Sequence, residues 1–422
     1  MSSNYLIIDW ETRSKVELKG QLSVGTYNYC FHPTTEPLML GYAIGDLSPA
    51  DMELKMWDFW TGAPMPADLE QALYSDLDIM AWHSTFERYL LERIGHKLPI
   101  ERFQDPQASS RYLSLTGDLA DDGVILNLPF GLAKDERGEE LIQMFSKETI
   151  IKASKKKGTP EQRFYKDWNS HPKEWEEFVM YCKQDLVAER EIARRLNIVE
   201  VFPLPPRERQ VWIFDQRVND RGIPVDIDFV KKAYTLADRA KQEAVKRQNE
   251  LTGLENSNSA PQMQAWVKSQ GYPYGPDGKA TLRKEHVTAV LKYNRDKLTP
   301  LCIKVLEARK AASSTTYKKL SAIMRQINDD GRLRGQFLYM GSARCGRWSG
   351  NAVQLHNFAR PDSRFENKDV VDKARALIRA EDFDGIIKEF GKVQDDGSSD
   401  YGAVLLTVKN VIRTVFSVEN EE

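Results

Sequence analysis

The sequence has few of the features that mark secreted, zinc-binding or membrane proteins. Its four cysteines are far apart and form no CxxC pair of the kind that holds zinc or a redox disulfide. No apolar run reaches the roughly 20 residues that a membrane-spanning helix needs, and the N-terminus lacks a signal-peptide pattern. These absences favour an intracellular protein with reduced thiols and no membrane partner.

Charge is distributed unevenly along the 422 residues, which are enough for two or three domains. Residues 1–200 contain 23 Lys and Arg against 33 Asp and Glu, whereas residues 207–361 contain 28 against 15. A change of this size between adjacent regions predicts a cation-binding carboxylate site beside a surface for a polyanion.

The first strand ends in two acids. Tyr5 to Ile8 is a short apolar run with polar neighbours, which predicts a buried strand. Side chains alternate across a strand, so Asp9 and Glu11 are expected on one face. Two carboxylates at close quarters repel unless they are solvated or share a cation, and oxygen ligands suit Mg²⁺ or Mn²⁺. A metal site and a solvated strand end are both open interpretations of this stretch alone.

The pattern of elements predicts an α/β region over residues 1–200, followed by a mostly helical region. A Pro-rich segment, residues 201–206, predicts a stiff linker between them. In the first region we expect strands at 5–8, 38–44, 54–57 and 78–83, and helices at 68–74, 86–94 and 175–196. In the second we expect helices at 207–220, 228–252 and 298–328, one that ends at Val267, and a strand at 333–340.

Two further segments carry side chains suited to the same chemistry. Glu87 opens a helix directly after the fourth predicted strand, and Tyr181 and Asp185 lie four residues apart, on one face of a predicted helix. Each segment alone has an ordinary explanation, as an amphipathic helix start or a surface hydrogen bond. The three segments occur in a definite order: two acids on a strand, one acid where a strand leads into a helix, and a Tyr/Asp pair on a helix. Chance does not readily produce this combination.

In that order the segments resemble the three motifs of the proofreading 3′→5′ exonuclease domain of phage family A (DNA polymerase I-like) DNA polymerases. The resemblance implies an RNase H-like domain over residues 1–200 that hydrolyses phosphodiester bonds with two Mg²⁺ or Mn²⁺ ions. Asp9, Glu11, Glu87 and Asp185 would hold the ions, and Tyr181 would orient the attacking water. Glu87 stands where Asp is usual. His83 stands where Asn is usual, and it would either contact the 3′ end of the DNA or only pack.

The resemblance continues beyond the linker. It implies a helical thumb at residues 207–328 and the start of an α+β palm at residues 329–422. Residues 341–361 look like the motif with which the family's palm grips primer–template DNA, with Cys345 in place of Thr. Arginines would pair with phosphates and amides would reach minor-groove acceptors. The predicted DNA contacts are Arg344, Arg347, Ser349, Gln354 and Asn357, with Lys318 and Lys319 from the thumb.

The family's polymerase motifs are incomplete here. A segment like the one that precedes the first palm aspartate is present at Ile412 to Phe416, but the aspartate motif and the nucleotide-binding helix are not. Asp382 to Ile387 superficially resembles that motif, but it lies too early and is interpreted as helical. Either the polymerase is split, and a second polypeptide supplies the rest of the palm and the fingers, or the chain is truncated. The split protein is favoured, so the expected partners are DNA and a C-terminal polymerase polypeptide. We expect that partner to cover exposed strand edges such as Val404 to Val408.

Two other functions remain open. An RNase D-like nuclease would share the acids and the tyrosine, but not the thumb or the Gly346-Arg347-Trp348-Ser349 stretch. A DNA-clamping scaffold would result if Glu87 were too long to support catalysis.

Overall fold

The computed structural model describes residues 4–48, 52–129, 136–153, 160–273, 281–312, 316–342, 345–392 and 399–416. The chain forms two compact units. The first contains Met1–Gly222 and Arg334–His356, and the second contains Ile223–Leu333 and Asn357–Glu422. None of the described helices is long and apolar enough to span a membrane.

A five-stranded mixed sheet forms the centre of the first unit. Its strands are β1 (Tyr5–Arg13), β2 (Glu36–Gly45), β3 (Lys55–Trp57), β4 (Asp78–Met80) and β5 (Phe103–Gln104). The strand order is β3-β2-β1-β4-β5. β1 pairs antiparallel with β2 and parallel with β4. The predicted α/β character of this region is confirmed, and β1 is the middle strand.

Eight helices of this unit are α1 (Thr26–Phe31), α2 (Ala67–Leu73), α3 (Thr85–Arg93), α4 (Pro106–Tyr112), α5 (Leu119–Ile125), α6 (Glu136–Ser146), α7 (Pro172–Ile198) and α8 (Pro206–Arg221). Two hairpins complete it, β6 (Thr149–Ile151) with β7 (Gln162–Phe164), and β10 (Phe337–Ser342) with β11 (Arg347–Gly350). The predicted helices at 68–74, 86–94, 175–196 and 207–220 match α2, α3, α7 and α8 to within a few residues.

Alternation along β1 separates the two sides of the sheet. Leu6 and Ile8 pack in the core cluster that includes Leu90 of α3. Tyr5 and Ile7 pack in a different cluster, with residues of α7 such as Leu186. Asp9 and Glu11 share the parity of Tyr5 and Ile7, so the side-chain period directs them to the face that α7 covers.

Strand β4 ends at Met80 instead of continuing to His83 as predicted. The cause is Asp105, the N-cap residue of α4, whose carboxylate accepts from the backbone N–H of His83 at 3.2 Å and of Ser84 at 3.1 Å. These bonds turn the chain out of the sheet and into α3.

The boundary between the units falls after Gly222, beyond the Pro-rich segment 201–206 that was predicted to separate the domains. Helix α8 remains with the first unit because Asn219 holds β10. The Asn219 side chain donates to the carbonyl of Phe337 and accepts from its N–H, both at 3.0 Å. Residues 334–356, predicted to open a palm, therefore pack beside the sheet unit.

The second unit is mostly helical, as predicted for the region after the linker. Its helices are α9 (Ile227–Thr252), α10 (Ala260–Ser269), α11 (Lys284–Tyr293), α12 (Pro300–Ala312), α13 (Thr316–Gln326), α14 (Lys368–Arg379), α15 (Phe383–Phe390) and α16 (Tyr401–Val411). Two short strands, β8 (Ile223–Pro224) and β9 (Arg332–Leu333), pair antiparallel. Helix α9 lies at the centre, against α12, α13, α14 and α16. The helix predicted for residues 298–328 corresponds, in the described residues, to α12 and α13.

The stretch Val404 to Val408 is neither a strand nor an exposed surface. It lies in α16, where Val404, Leu405 and Val408 are buried, and only Leu406 among its apolar residues is exposed. Packing against α9 and α15 covers this helix. The expectation of unpaired strand edges here was wrong. By contrast, the helical interpretation of Asp382 to Ile387 is confirmed, because Asp382 caps α15 by accepting from the N–H of Gly385 at 2.8 Å.

Candidate metal-dependent active site

The end of β1 and the middle of α7 bring two carboxylates and a thiol together. Ligand atoms of Asp9, Glu11 and Cys182 all lie within 4.8 Å of one another. Cys182 is completely buried and donates its thiol to Asp9 Oδ2 at 3.6 Å. Burial raises the pKa of this thiol well above its usual range, so it remains a neutral donor that orients Asp9.

Glu87 joins this group from α3. It lies in the first turn of the helix and is only 3% exposed. Its Oε2 has no hydrogen-bond partner among the described residues. Burial raises the pKa of Glu87 well above normal, and the nearby charges of Asp9, Asp105 and Glu11 add to the effect. A buried carboxylate oxygen without a partner is costly unless a cation or a proton compensates it.

Tyr181 and Asp185 approach the group from α7. Burial raises the pKa of the Tyr181 phenol far above its usual range, and so do the charges of Asp185 and Glu11 and a hydrogen bond to Asp185. The phenol is therefore a neutral donor at any physiological pH. Of the five predicted catalytic residues, Asp9 and Glu11 lie in the close ligand group, and Glu87, Tyr181 and Asp185 are linked to it by electrostatic effects.

Burial raises the pKa of both acids on β1, and neighbouring carboxylates add to the effect at Glu11. Burial raises the pKa of Asp9 to about 6, against the effect of the Cys182 hydrogen bond. Burial also raises the pKa of Glu11 well above normal, with repulsion from Asp9 and Asp185 as the next causes. Shifts of this kind identify a site whose charge is unbalanced and would be relieved by divalent cations.

Sequence reasoning missed Cys182, which belongs to the ligand group, and the buried acid Glu189. Glu189 follows Asp185 by four residues on α7 and is only 2% exposed. Burial raises its pKa well above normal, and so do the charges of Asp9, Glu87, Asp105 and Asp185. The signal was present, since the helical spacing that pairs Tyr181 with Asp185 continues to Glu189.

His83 lies beside the site in a left-handed backbone conformation, with φ of 61°. Asn and His are among the residues that tolerate this conformation best, which explains how His can stand where the resembled family has Asn. The side chain lines a cavity of about 50 Å³ together with Asp105, Arg111 and Asp215. Burial lowers the pKa of His83 to about 4, with the charges of Arg111 and Lys19 adding to the effect, so its imidazole is neutral at pH 7.

The predicted DNA contacts are distributed over both units. In the first unit Arg347 and Gln354 are exposed and Ser349 is half-buried, with Arg347 and Ser349 on β11. Trp348, between them, donates its indole N–H to Asp215 Oδ1 of α8 at 2.6 Å. This bond anchors the hairpin on which Arg347 is presented.

In the second unit Lys318 and Asn357 are exposed, and Lys319 places its ammonium 4.8 Å from the ring centre of Phe358. Burial lowers the pKa of Lys319. Arg344 lies outside the described residues. The structure therefore describes six of the seven predicted DNA contacts, three in each unit.

No family model matches the chain. The chain is 30% identical over 393 residues to a DNA polymerase of Bacillus phage SP02, an alignment that covers 92% of this chain and 55% of the relative. The chain thus spans about half the length of the curated relative. A similar solved structure is the POL domain of Pol1 from M. smegmatis in complex with DNA primer-template and dNTP. Its sequence identity is 12%, its TM-score is 0.47, and the match covers 88% of this chain and 54% of that one. The identity along almost the entire chain confirms the predicted resemblance to a phage DNA polymerase.

Proposed function

We propose that the first unit is a metal-dependent 3′→5′ DNA exonuclease with an RNase H-like fold, the proofreading part of a phage family A DNA polymerase. The observation that carries the proposal is the close pair Asp9 and Glu11 on β1, on which α3 and α7 act electrostatically through Glu87, Tyr181 and Asp185. A mixed sheet with the acidic strand at its centre supports the fold.

The donor set fits Mg²⁺ or Mn²⁺. The four acids offer oxygen ligands, they repel one another, and one buried oxygen of Glu87 has no partner in the described part of the chain. Oxygen-rich sites of this kind select hard divalent cations. When bound, two such ions would supply an activated water and would neutralise the charge that develops on the leaving oxygen.

Side chains of the protein have distinct roles in the proposed reaction. Asp9, Glu11, Glu87 and Asp185 supply the carboxylate oxygens, and the Cys182 thiol fixes the orientation of Asp9 through its 3.6 Å hydrogen bond. Tyr181 stays protonated because burial and neighbouring carboxylates raise its pKa, so its hydroxyl can donate a hydrogen bond that positions the attacking water or the scissile phosphate. His83 is neutral at pH 7 and would contact the 3′ end as a hydrogen-bonding group, not as a cation.

DNA is the proposed substrate, as primer–template and as a single-stranded 3′ end. Arg347, Ser349 and Gln354 of the first unit, and Asn357, Lys318 and Lys319 of the second, are the proposed contacts among the described residues, and Arg344 is proposed with them. In this proposal the second unit serves as the thumb and as part of the palm. A second polypeptide that carries further palm and fingers motifs stays a prediction, and the buried α16 gives it no support.

A degradation assay tests the proposed activity. The protein is incubated with 5′-labelled single-stranded DNA and Mg²⁺ or Mn²⁺, and the products are separated by length. We expect a ladder that shortens from the 3′ end, disappears with EDTA and disappears in Asp9→Ala. Tyr181→Phe should reduce the rate by 10-fold or more while leaving Mn²⁺ binding intact, because only the donor hydroxyl is lost.

The same assay separates the alternatives. DNA that stays intact under all metal conditions while the protein still binds primer–template would overturn the exonuclease and favour a DNA-clamping scaffold in which Glu87 is too long. RNA degraded in preference to DNA would favour an RNase D-like nuclease. Restored primer extension on mixing with a C-terminal polymerase polypeptide would support the predicted partner, and an unchanged mixture would contradict it.

A further inference from the structure

We propose that Gly138 of α6 is a positioning residue for the exonuclease, because its lack of a side chain makes the space in which α6 holds the Tyr181 ring. The inference rests on the proposed metal-dependent exonuclease, in which the Tyr181 hydroxyl positions the attacking water or the scissile phosphate. It adds a residue from a helix that carries none of the three sequence motifs.

Helix α6 packs against α7 through residues that recur every three or four positions. Leu141 and Phe145 of α6 are buried and lie in one core cluster with Phe178 of α7. Gly138 precedes Leu141 by one helical turn and Phe145 by two, so it lies on the same face of α6. A side chain at position 138 would therefore point towards α7.

The Tyr181 ring fills the space that a side chain at position 138 would need. A Cβ on Gly138 would lie 2.1 Å from Tyr181 Cε2, 2.5 Å from Cδ2 and 2.9 Å from Cζ. Carbon atoms that are not bonded to each other pack at about 3.5–4.0 Å. No residue larger than glycine fits at position 138 while the ring stays in place, and the contact extends to the carbon that bears the hydroxyl.

Glycine is an unfavourable residue for α6 itself. Its helix propensity is the lowest apart from that of proline, because its backbone loses the most conformational freedom on folding. Local helix formation therefore favours alanine at position 138. The close approach of Tyr181 is the tertiary contact that opposes alanine there.

Phe178 restricts the Tyr181 ring from another direction. The two rings are nearly parallel, at an angle of 9°, and their centroids are 6.5 Å apart. Phe178 is fully buried and stacks on Phe145 with a centroid distance of 5.3 Å, so it cannot easily yield. A Cβ at position 138 would therefore displace the Tyr181 ring and not the core beneath it.

An open groove provides space for a displaced ring. Tyr181 is half-buried and lines a cavity of about 480 Å³ together with Leu141 of α6 and Met180 of α7. A ring pushed away from Gly138 can turn into this groove without unfolding either helix. We therefore expect Gly138→Ala to misplace the hydroxyl in a protein that remains folded.

The substitution should act on Tyr181 before it acts on the acids. The three atoms nearest to a Cβ at position 138 all belong to Tyr181. The next residue of α7, Cys182, contacts Asp9 Oδ2 at 3.6 Å from the other side of the tyrosine. A changed Tyr181 position with unchanged carboxylates would lower the rate of the reaction and leave metal binding intact.

A double-mutant cycle tests the proposal. Rates are measured with 5′-labelled single-stranded DNA at saturating Mg²⁺ for the wild type, Gly138→Ala, Tyr181→Phe and the double variant. Gly138→Ala should lower kcat by about 10-fold or more and change KM by less than about two-fold. In the Tyr181→Phe background it should lower kcat by less than about two-fold, because the hydroxyl that Gly138 positions is already absent.

Glu139→Ala is the matched control. It places an alanine at the next position of α6, where the side chain is exposed, and it should digest DNA like the wild type. If Gly138→Ala does not fold, Phe178→Leu takes its place. That variant removes the ring on which Tyr181 stacks, and its loss of rate should depend on the Tyr181 hydroxyl in the same way.

Two measurements do not rely on activity. With 3-fluorotyrosine incorporated at position 181, the ¹⁹F NMR signal should move in Gly138→Ala and stay at its wild-type position in Glu139→Ala. Mn²⁺ binding, titrated by isothermal calorimetry, should agree within about two-fold in all three proteins, because the carboxylates are unchanged.

The outcomes separate this inference from the proposed exonuclease. A wild-type rate in Gly138→Ala, or a loss of equal size with and without the Tyr181 hydroxyl, would overturn the positioning role and leave the exonuclease proposal in place. An unchanged ¹⁹F signal would also overturn the positioning role. A wild type that leaves DNA intact would overturn the exonuclease proposal, and the positioning role with it, even if the ¹⁹F signal of Gly138→Ala moves.

Discussion

Trp348 donates its indole N–H to the buried carboxylate of Asp215 over 2.6 Å. Asn219 and Gln216 donate to the other oxygen of the same carboxylate, both at 3.2 Å. Since Asn219 also holds the backbone of β10, a network centred on Asp215 joins α8 to both strands of the β10–β11 hairpin. The hairpin carries Arg347, so the position of a proposed phosphate contact depends on one enclosed acid.

The Asp215 network makes stability depend on pH. Burial raises the pKa of Asp215 from 3.8 to about 6, against the effect of its hydrogen bonds. Because the folded-state pKa is the higher one, the protein loses stability as pH rises through that interval. Asp215→Asn cannot ionise, so its stability relative to the wild type should rise between pH 4 and pH 6 by up to about 3 kcal/mol and then stay constant.

Urea denaturation at pH 4.5, 5.5 and 7.5 checks this prediction. Trp348→Phe is the informative second variant. It removes a hydrogen bond that lowers the pKa of Asp215, so the folded-state pKa should rise further. The loss of stability should then extend to higher pH than in the wild type. A difference between Asp215→Asn and wild type that does not vary with pH would contradict the prediction.

A second ionic contact, between Arg88 of α3 and Asp220 of α8, should contribute strongly to stability. Arg88 Nη2 lies 2.7 Å from Asp220 Oδ1, and the Arg88 side chain is only 7% exposed. The Tyr89 hydroxyl donates to the same oxygen at 2.6 Å. Asp220→Asn leaves a buried guanidinium without a counter-charge, and we expect a loss of about 3 kcal/mol in the free energy of unfolding.

The control for Asp220→Asn is the exposed pair between Glu92 of α3 and Lys97, which follows that helix. Lys97 and Glu92 approach to 2.6 Å, but the Lys97 side chain is 80% exposed. Glu92→Gln should therefore cost less than about 1 kcal/mol. Chemical denaturation of both variants at pH 7 compares them, and equal losses would show that burial does not set the strength of the Arg88 pair.

The sequence predicted those parts of the site that depend on local periodicity. The two-residue period of β1 directed Asp9 and Glu11 to one face, and a four-residue spacing joined Tyr181 and Asp185. Glu189 has the same spacing but belongs to no motif. Its side chain is buried by the packing of α7 against the sheet, which the sequence pattern does not show.

Other features depend on tertiary contacts that sequence patterns do not encode. The run from Val404 to Val408 suits a buried helix as well as a strand, and the choice is decided by the neighbours of α16. The early end of β4 depends on Asp105, which follows it by more than 20 residues. The return of residues 334–356 to the first unit depends on Asn219 and Asp215, whose partners are over 100 residues away.

Gly41 controls how closely α7 approaches the site. It pairs with Asp9 across β1 and β2, and a Cβ at this position would lie 2.9 Å from both Cys182 Sγ and Leu186 Cδ1. Gly41→Ala should therefore displace α7, destabilise the protein by about 1–3 kcal/mol and lower the proposed exonuclease activity through Asp185 and Tyr181.

Gly45→Ala is the matched control for Gly41→Ala, because it lies on the same strand and meets only the end of the flexible Met52 side chain at 3.3 Å. It should cost less stability and leave activity close to that of the wild type. Thermal unfolding and the labelled-DNA assay compare the two variants. If Gly41→Ala has wild-type stability and activity, α7 does not need this close contact.

Arg347 should bind DNA through phosphates without reading sequence. Its side chain is exposed on β11, and the Trp348–Asp215 bond fixes the strand that carries it. Arg347→Ala should weaken primer–template binding equally for different sequences, and it should reduce the slope of log K against log salt by about 1, because one fewer phosphate is neutralised. Fluorescence anisotropy between 50 and 200 mM salt measures both effects.

Arg163→Ala is the control, because Arg163 is exposed and already paired with Glu161 at 2.8 Å. It should change neither the affinity nor the slope. If Arg347→Ala keeps the wild-type slope, the hairpin does not contact the DNA backbone through this residue.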